Sequence, residues 1–192
     1  LSSPALGRKK FGEENFPSNH KWNKLNYQNG DINTSIIKTY LGRTIMVQWD
    51  ETSPRPYTRL NLIQGTKGIL AGGPTRAAFD NGFENYSNDA KKWITGKGIE
   101  QLYEKFDHPL YKRLNSKTKY SGHGGMDGIM MYRIVECLQN GLPLDQNVYE
   151  GSAWSSLIEL TSKSVNNDGH PQNFPDFTRG DWVKTKKFDI IS

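Results

Sequence analysis

The spacing of hydrophobic positions changes along this chain and divides it into regions. Between Asp31 and Glu51, DINTSIIKTYLGRTIMVQWDE holds two β-rich runs separated by Leu41-Gly42-Arg43, which predicts a hairpin. Ile45, Val47 and Trp49 alternate strictly, and this predicts that one face of the second strand lies on a core. After TSPRPY, the run TRLNLIQGTKGILAGG alternates again through Leu60, Leu62 and Ile69, with Gly65 and Gly68 supplying turns. Residues 31–80 therefore read as a meander of antiparallel strands.

Beyond residue 80 the period lengthens. Ile99, Leu102, Tyr103 and Phe106 recur at helical spacing and are interrupted by Pro109, so two short helices are expected. Met126, Ile129, Met130, Ile134, Val135 and Leu138 form a stripe of period 3.6, a helix over 125–140 whose stripe should pack on a core. Asn140-Gly141 and Pro143 stop it. Asp145 can cap a following helix that carries Tyr149, Ala153, Trp154, Leu157, Ile158 and Val165. NNDGHPQNFPDFTRGDW reads as loop, with a last strand expected near 183–191, and residues 1–30 read as an irregular arm. A meander followed by helices, without βαβ alternation, predicts an α+β domain: an open, mostly antiparallel β-sheet with helices packed on one face. The other face would be solvated or paired, and a dimer through the sheet follows as an expectation.

Composition narrows the function classes. The 192 residues are 34% hydrophobic yet hold 5 Trp, 9 Tyr and 8 Phe, a core rich in rings under a polar exterior. No apolar run approaches the roughly 18 residues of a membrane span. The net charge of +5 is scattered through GRKK, AKKW and KTKK, without a recognition-helix or zinc-finger pattern, so no nucleic-acid partner is expected. The single cysteine, Cys137, excludes an internal disulfide and reads as a buried small hydrophobe. LSSPALGRKK has neither an initiator Met nor a secretory segment and reads as the start of a piece of a longer protein. No G-x-G-x-x-G or Walker pattern occurs, so no nucleotide-binding unit is expected within the chain.

Three stretches carry candidate chemistry. In SGHGGMDGIMMYR, glycines bare the backbone before a helix N-terminus, a place that suits anions or polar ligands. His123 could shuttle a proton there, and Asp127 sits in the first turn. A dipole-stabilised Asp127 and a His123 bonded to a local carbonyl explain both residues without any function. In TSPRPY, two prolines hold Arg55 and Tyr57 on an extended loop suited to a polyhydroxylated or carbonyl ligand, or simply make a stiff turn. PDFTRGDW gathers Asp176, Arg179 and Trp182, where a structural ion pair of Arg179 with a nearby carboxylate is the plainer reading. His20, His108, His123 and His170 lack metal-ligand spacing, so no metal site is expected. No nucleophile elbow or defensible carboxylate dyad appears.

Together, GHGGMDGIMMYRIVECLQNGLPLDQNVYEGSAWSSLIELTSKSV, FPDFTRGDW and DETSPRPYTRLNLIQGTKG closely resemble the C-terminal half of glycoside hydrolase family 109, over residues 1–183. These are NAD-dependent enzymes on the Gfo/Idh/MocA oxidoreductase plan. Gly128 departs from the family, which would place an aromatic after HGGMD, and residues 81–120 match more loosely. The resemblance implies a Gfo/Idh/MocA C-terminal fold whose open sheet face forms an oligomer interface. It also implies α-N-acetylgalactosaminidase chemistry, in which NAD oxidises the sugar at C3, elimination and water addition follow, and the hydride returns. It places the Rossmann NAD-binding domain and a Tyr-x-x-His catalytic segment upstream of Leu1, so that residues 1–192 form a single substrate and oligomerisation domain. Such a fragment alone would hold no NAD and be inactive. Tyr57 matches a pocket tyrosine, which makes Tyr57, Arg55 and His123 substrate-binding candidates, with Asp127 and Arg179 as further pocket candidates and no catalytic residue assigned. The resemblance favours the bacterial periplasm, with the cytoplasm as the alternative, and the residues themselves do not fix the location. Two alternatives remain open at this point: the same domain of a sugar dehydrogenase, and a non-catalytic carbohydrate-binding or assembly module.

Overall fold

The computed structural model describes residues 1–185. In chain order its elements are α1 (Leu6–Asn15), a 3₁₀ turn (Lys21–Lys24), β1 (Ile32–Lys38), β2 (Thr44–Asp50), β3 (Leu62–Gly65), β4 (Gly68–Ala71), β5 (Arg76–Phe79), α2 (Lys97–Phe106), α3 (Pro109–Thr118), a short turn (His123–Gly125), α4 (Met126–Gln139), α5 (Val148–Val165) and a 3₁₀ turn (Asp181–Lys184). The class is α+β with antiparallel strand pairing, as the alternating and helical periods predict. The strands form two small sheets, β1-β2 and β3-β4-β5. The chain divides into two compact units, and the two sheets fall in different ones.

The first unit comprises residues 1–55 and 146–185 among those described. The hairpin turns at Gly42, whose φ of 78° suits a residue without Cβ, and β1 and β2 pair from Ile32↔Asp50 to Lys38↔Thr44. The alternating face of β2 is not a sealed core: Ile45, Val47 and Trp49 are 48%, 39% and 62% exposed. Val47 and Trp49 do face α5, across a cleft lined also by Leu157 and Ile158, and Ser35 meets Thr161 through a 3.0 Å hydroxyl contact. One helix over two strands is too little to seal them.

Residues 1–30 are not an irregular arm. Asp31 reaches back to the first turn of α1 and accepts from the N–H of Gly7 (2.6 Å) and Arg8 (3.2 Å), an N-cap donated from a distance. Gly30 lets the chain pass Ser3 closely, since a Cβ there would overlap the Ser3 carbonyl oxygen. The cap of α5 is Asn147, not Asp145. Its Oδ1 accepts from Tyr149 and Glu150 N–H at 2.9 and 3.0 Å while Glu150 returns to the Asn147 N–H, a complete capping box. Asn147→Ala is expected to destabilise the protein by about 1 kcal/mol, measured as a lowered urea midpoint at unchanged slope.

The second unit, residues 56–145 among those described, holds the better-formed core. Ala77, Phe83, Ile94, Ile99 and Leu102 pack together, with Phe79 at the margin. The N–H groups and carbonyls of Ala77 and Ile94 exchange hydrogen bonds and extend the sheet by one bridge. Pro109 opens α3 at its first turn, where a missing N–H costs nothing, and His108 Nδ1 accepts from Leu110 N–H at 3.1 Å. Leu110 and Leu114 are the buried residues of α3, and α3 packs on α4. On α4 the buried side chains are Arg133 and Cys137, whereas Met126, Met130, Val135 and Leu138 of the predicted stripe are exposed. The stripe marks the helix correctly but not its packed side. Arg133 replaces an apolar contact because two carboxylates meet it, as described below. The expected strand near 183–191 begins in the last 3₁₀ turn, and its remainder lies outside the described residues.

Candidate functional site

The TSPRPY loop starts from an anchored carboxylate. Asp50 accepts from the N–H of Ser53 (3.1 Å) and Thr52 (3.3 Å), and Arg55 Nε lies 3.4 Å from its other oxygen. The Ser53 N–H foremost, with Arg55 adding to it, holds the Asp50 carboxyl below the usual carboxylate range. Arg55 is thus turned back on its own unit. Tyr57 belongs to the other unit; it is 85% exposed, and its hydroxyl accepts from Arg59 Nε at 2.9 Å. A phenol held by a guanidinium on a proline-stiffened loop keeps its own O–H free to donate.

The His123 turn is more unusual. Gly122, His123, Gly124 and Gly125 all have positive φ, 88°, 44°, 69° and 99°, so a non-glycine residue sits in the left-handed region inside a glycine run. His123 Nδ1 meets both oxygens of Asp127, at 3.0 and 2.9 Å. The partner is therefore a carboxylate and not the local carbonyl of the plainer reading. A carboxylate on Nδ1 orients the ring with Nδ1–H donating; in the neutral ring Nε2 is then the acceptor, on a side chain that is largely exposed. Ser121 Oγ donates to the Thr118 carbonyl (2.6 Å) and accepts from Gly128 N–H (2.9 Å). A Cβ at position 128 would lie 2.8 Å from the Thr118 Cβ, so the close approach of this turn to α3 requires glycine there.

The third stretch is a self-contained turn. The Asp176 carboxylate accepts from Thr178 N–H and Oγ1 (2.9 and 2.7 Å) and from Gly180 N–H (2.6 Å), with the Thr178 hydroxyl the largest cause of its lowered pKa. Arg179, at φ 53°, sits at the turn's left-handed position, and among the described residues Asp176 is met by hydrogen bonds from the turn rather than by Arg179. Trp182 stands edge-on to Tyr40 with centroids 4.8 Å apart. Of the candidates, His123 and Asp127 are brought into contact; Arg55 and Arg179 lie in one unit, and Tyr57 with the His123 pair in the other.

Two arrangements escaped the sequence. Arg133 donates to both oxygens of Asp145 (2.9 and 2.7 Å), to Glu136, and to the Cys137 sulfur at 3.3 Å. Arg8 pairs with Glu51 at 2.6 Å. Glu136 and Cys137 stand at helical spacing from Arg133, but Arg133–Asp145 and Arg8–Glu51 have no local spacing signal, because loops bring those partners together.

The glycine-rich turn at His123 does not fit the pyrophosphate of a dinucleotide. The one glycine-rich helix start already holds the Asp127 carboxylate against Gly122, and that negative charge opposes a pyrophosphate. Among the described residues no group of three or more His, Cys, Asp or Glu could hold a metal, and no helix is long and apolar enough to cross a membrane.

Fold and loops together define an α+β chain whose candidate loops present polar side chains. The chain belongs to glycoside hydrolase family 109. A family model described as "Glycosyl hydrolase 109, C-terminal domain" matches residues 1–184. All of the chain aligns with Glycosyl hydrolase family 109 protein 1 of Akkermansia muciniphila at 58% identity, covering 40% of that relative. A second relative, named Alpha-N-acetylgalactosaminidase, from Shewanella oneidensis, is 49% identical over the whole chain, which covers 41% of it. The chain thus spans about two fifths of the length of the curated relatives it matches.

Proposed function

We propose that this chain is the substrate-side and oligomerisation domain of a glycosidase that acts on α-N-acetylgalactosaminides. The name of the Shewanella oneidensis relative supports the substrate. The observation that carries the reading is Tyr57, an exposed phenol with a free donor on a stiffened loop within a family-matched segment. NAD, the cofactor the family resemblance brings, would supply reversible oxidation of the sugar. The glycine-rich turn among the described residues does not suit its pyrophosphate, and the reading gives NAD to a dinucleotide-binding domain outside these residues. The part played here is to bind and orient: Tyr57 donates to a sugar oxygen, and His123, fixed by Asp127, offers Nε2 to a sugar hydroxyl. Assembly into a homo-oligomer through the sheet is part of the same proposal, supported by the exposed Ile36 and Met46 on one hairpin face.

The test is release of N-acetylgalactosamine from an aryl α-N-acetylgalactosaminide by the full-length protein without net accumulation of NADH. Stoichiometric NADH would instead make the protein a sugar dehydrogenase. A more local outcome is expected for His123→Gly. Glycine relieves a left-handed φ that costs a histidine about 1–2 kcal/mol, so the melting temperature should hold or rise. The sugar contact is lost, and kcat/KM should fall about tenfold. An unchanged kcat/KM would leave His123 as a turn residue only.

A further inference from the structure

Within the first unit, α1, the 3₁₀ turn and the end of β2 enclose a cleft of about 620 Å³ lined by Arg8, Phe11, Trp22, Leu25, Tyr27 and Glu51. Its aromatic side is prearranged. Phe16 stacks on His20 at 4.3 Å and meets Trp22 edge-on at 4.8 Å, and Asn23 Nδ2 donates to the Phe16 and Pro17 carbonyls, so Trp22 is braced from behind. Trp22 and Phe11 nevertheless remain 40% and 54% exposed. The polar side is a compensated pair: Glu51 takes Arg8 at 2.6 Å on one oxygen and the Trp49 indole N–H at 2.6 Å on the other. Arg8 is the wall between this cleft and the one under α5. Beside it the hydrogen-bond count stays open: among the described residues Arg8 Nε is a buried donor without an acceptor and Asn29 Oδ1 a buried acceptor without a donor.

These features select a ligand class. The charge of Arg8 is already neutralised, so an anion gains little. Ring faces favour a flat apolar surface, and the pair beside them offers both donors and acceptors at one edge. We propose that this cleft binds a neutral hydroxylated ring, a pyranose, laid against Trp22 and Phe11 with its hydroxyls on Arg8 and Glu51. The proposal rests on the cleft alone and stands or falls independently of the glycosidase reading, since none of its residues is assigned to that pocket.

The test follows the Trp22 indole resonance in full-length protein labelled with ¹⁵N-tryptophan, assigned by Trp22→Phe. Titration with N-acetylgalactosamine or galactose should move that signal saturably, while sulfate and adenosine should not. Arg8→Met should weaken the sugar about tenfold. Glu51→Gln keeps an acceptor for Arg8 but leaves its charge uncompensated, so sulfate should begin to move Trp22 as the sugar weakens. A Trp22 signal unmoved by either sugar overturns the proposal, as does one moved more strongly by adenosine. Shielding of that indole from a soluble paramagnetic agent in the sugar-free protein overturns it too, because another part of the protein then covers the cleft.

Discussion

Tyr57→Phe in the full-length protein is expected to lower kcat/KM on an aryl α-N-acetylgalactosaminide by about ten- to a hundredfold, the loss of one well-placed hydrogen bond. The substitution keeps the ring and any stacking it provides. It removes one oxygen, and that oxygen is oriented: Arg59 Nε donates to it at 2.9 Å, so its hydrogen points away from the guanidinium. Stability should barely change, because the side chain is 85% exposed and packs on little. Arg59→Met supplies the control. It leaves the phenol in place but releases its orientation, so a smaller fall in kcat/KM is expected, carried by kcat and KM together. If Tyr57→Phe turns over as well as the wild type, Tyr57 is not in the sugar pocket.

The elements that were legible in the sequence are those whose signals are local. Gly42 between two alternating runs, Gly65 and Gly68 between shorter ones, and Pro109 at the break between α2 and α3 each specify a turn or a helix start through their own backbone. The misreadings share a cause: the deciding partner sits far along the chain. Polar residues 6–15 form α1 because Asp31 caps it, and nothing within that segment announces the carboxylate. Asp145 looks like a helix cap from its neighbours but is engaged by Arg133, one helix away, and Asn147 takes the cap. The alternation in β2 and the Met stripe of α4 predict the right elements and the wrong burial. Periodicity reports which positions share a face, whereas burial depends on how much chain is available to cover it. The candidate site divides the same way. The Gly-rich turn and the proline loop were readable as places where the backbone is special, and the His123–Asp127 spacing of four allowed their contact. That Arg55 is spent on Asp50, and Asp176 on its own turn, depends on conformations that spacing does not encode.

Arg133→Met should cost about 2–3 kcal/mol at neutral pH, somewhat under the roughly 3–5 kcal/mol for breaking a fully buried ion pair. The discount follows from exposure: the Arg133 side chain is 9% exposed, but the Asp145 side chain is 37% exposed and part of its charge stays solvated. Methionine fills the space of the alkyl stem, so the loss reports on the guanidinium, which ties α4 to the loop leading to Asp145 and covers the Cys137 sulfur. Asp145→Asn should cost less, because Glu136 still receives Arg133. The double variant should fall short of the sum of the two, since each single change already breaks the shared contact. Acid adds a second, independent readout. Hydrogen bonds from Arg133 hold the Asp145 carboxyl below its ordinary value, so the folded pKa lies under the unfolded one of about 3.9. The contribution is then complete above that unfolded value and disappears as pH falls through the folded one. Urea unfolding should show the wild type and Arg133→Met well separated at neutral pH and converging in strong acid, where Asp145 is protonated in both. A gap that stayed constant down to the acid limit would mean that Arg133 stabilises the second unit by packing alone, with no contribution from its pairing to Asp145.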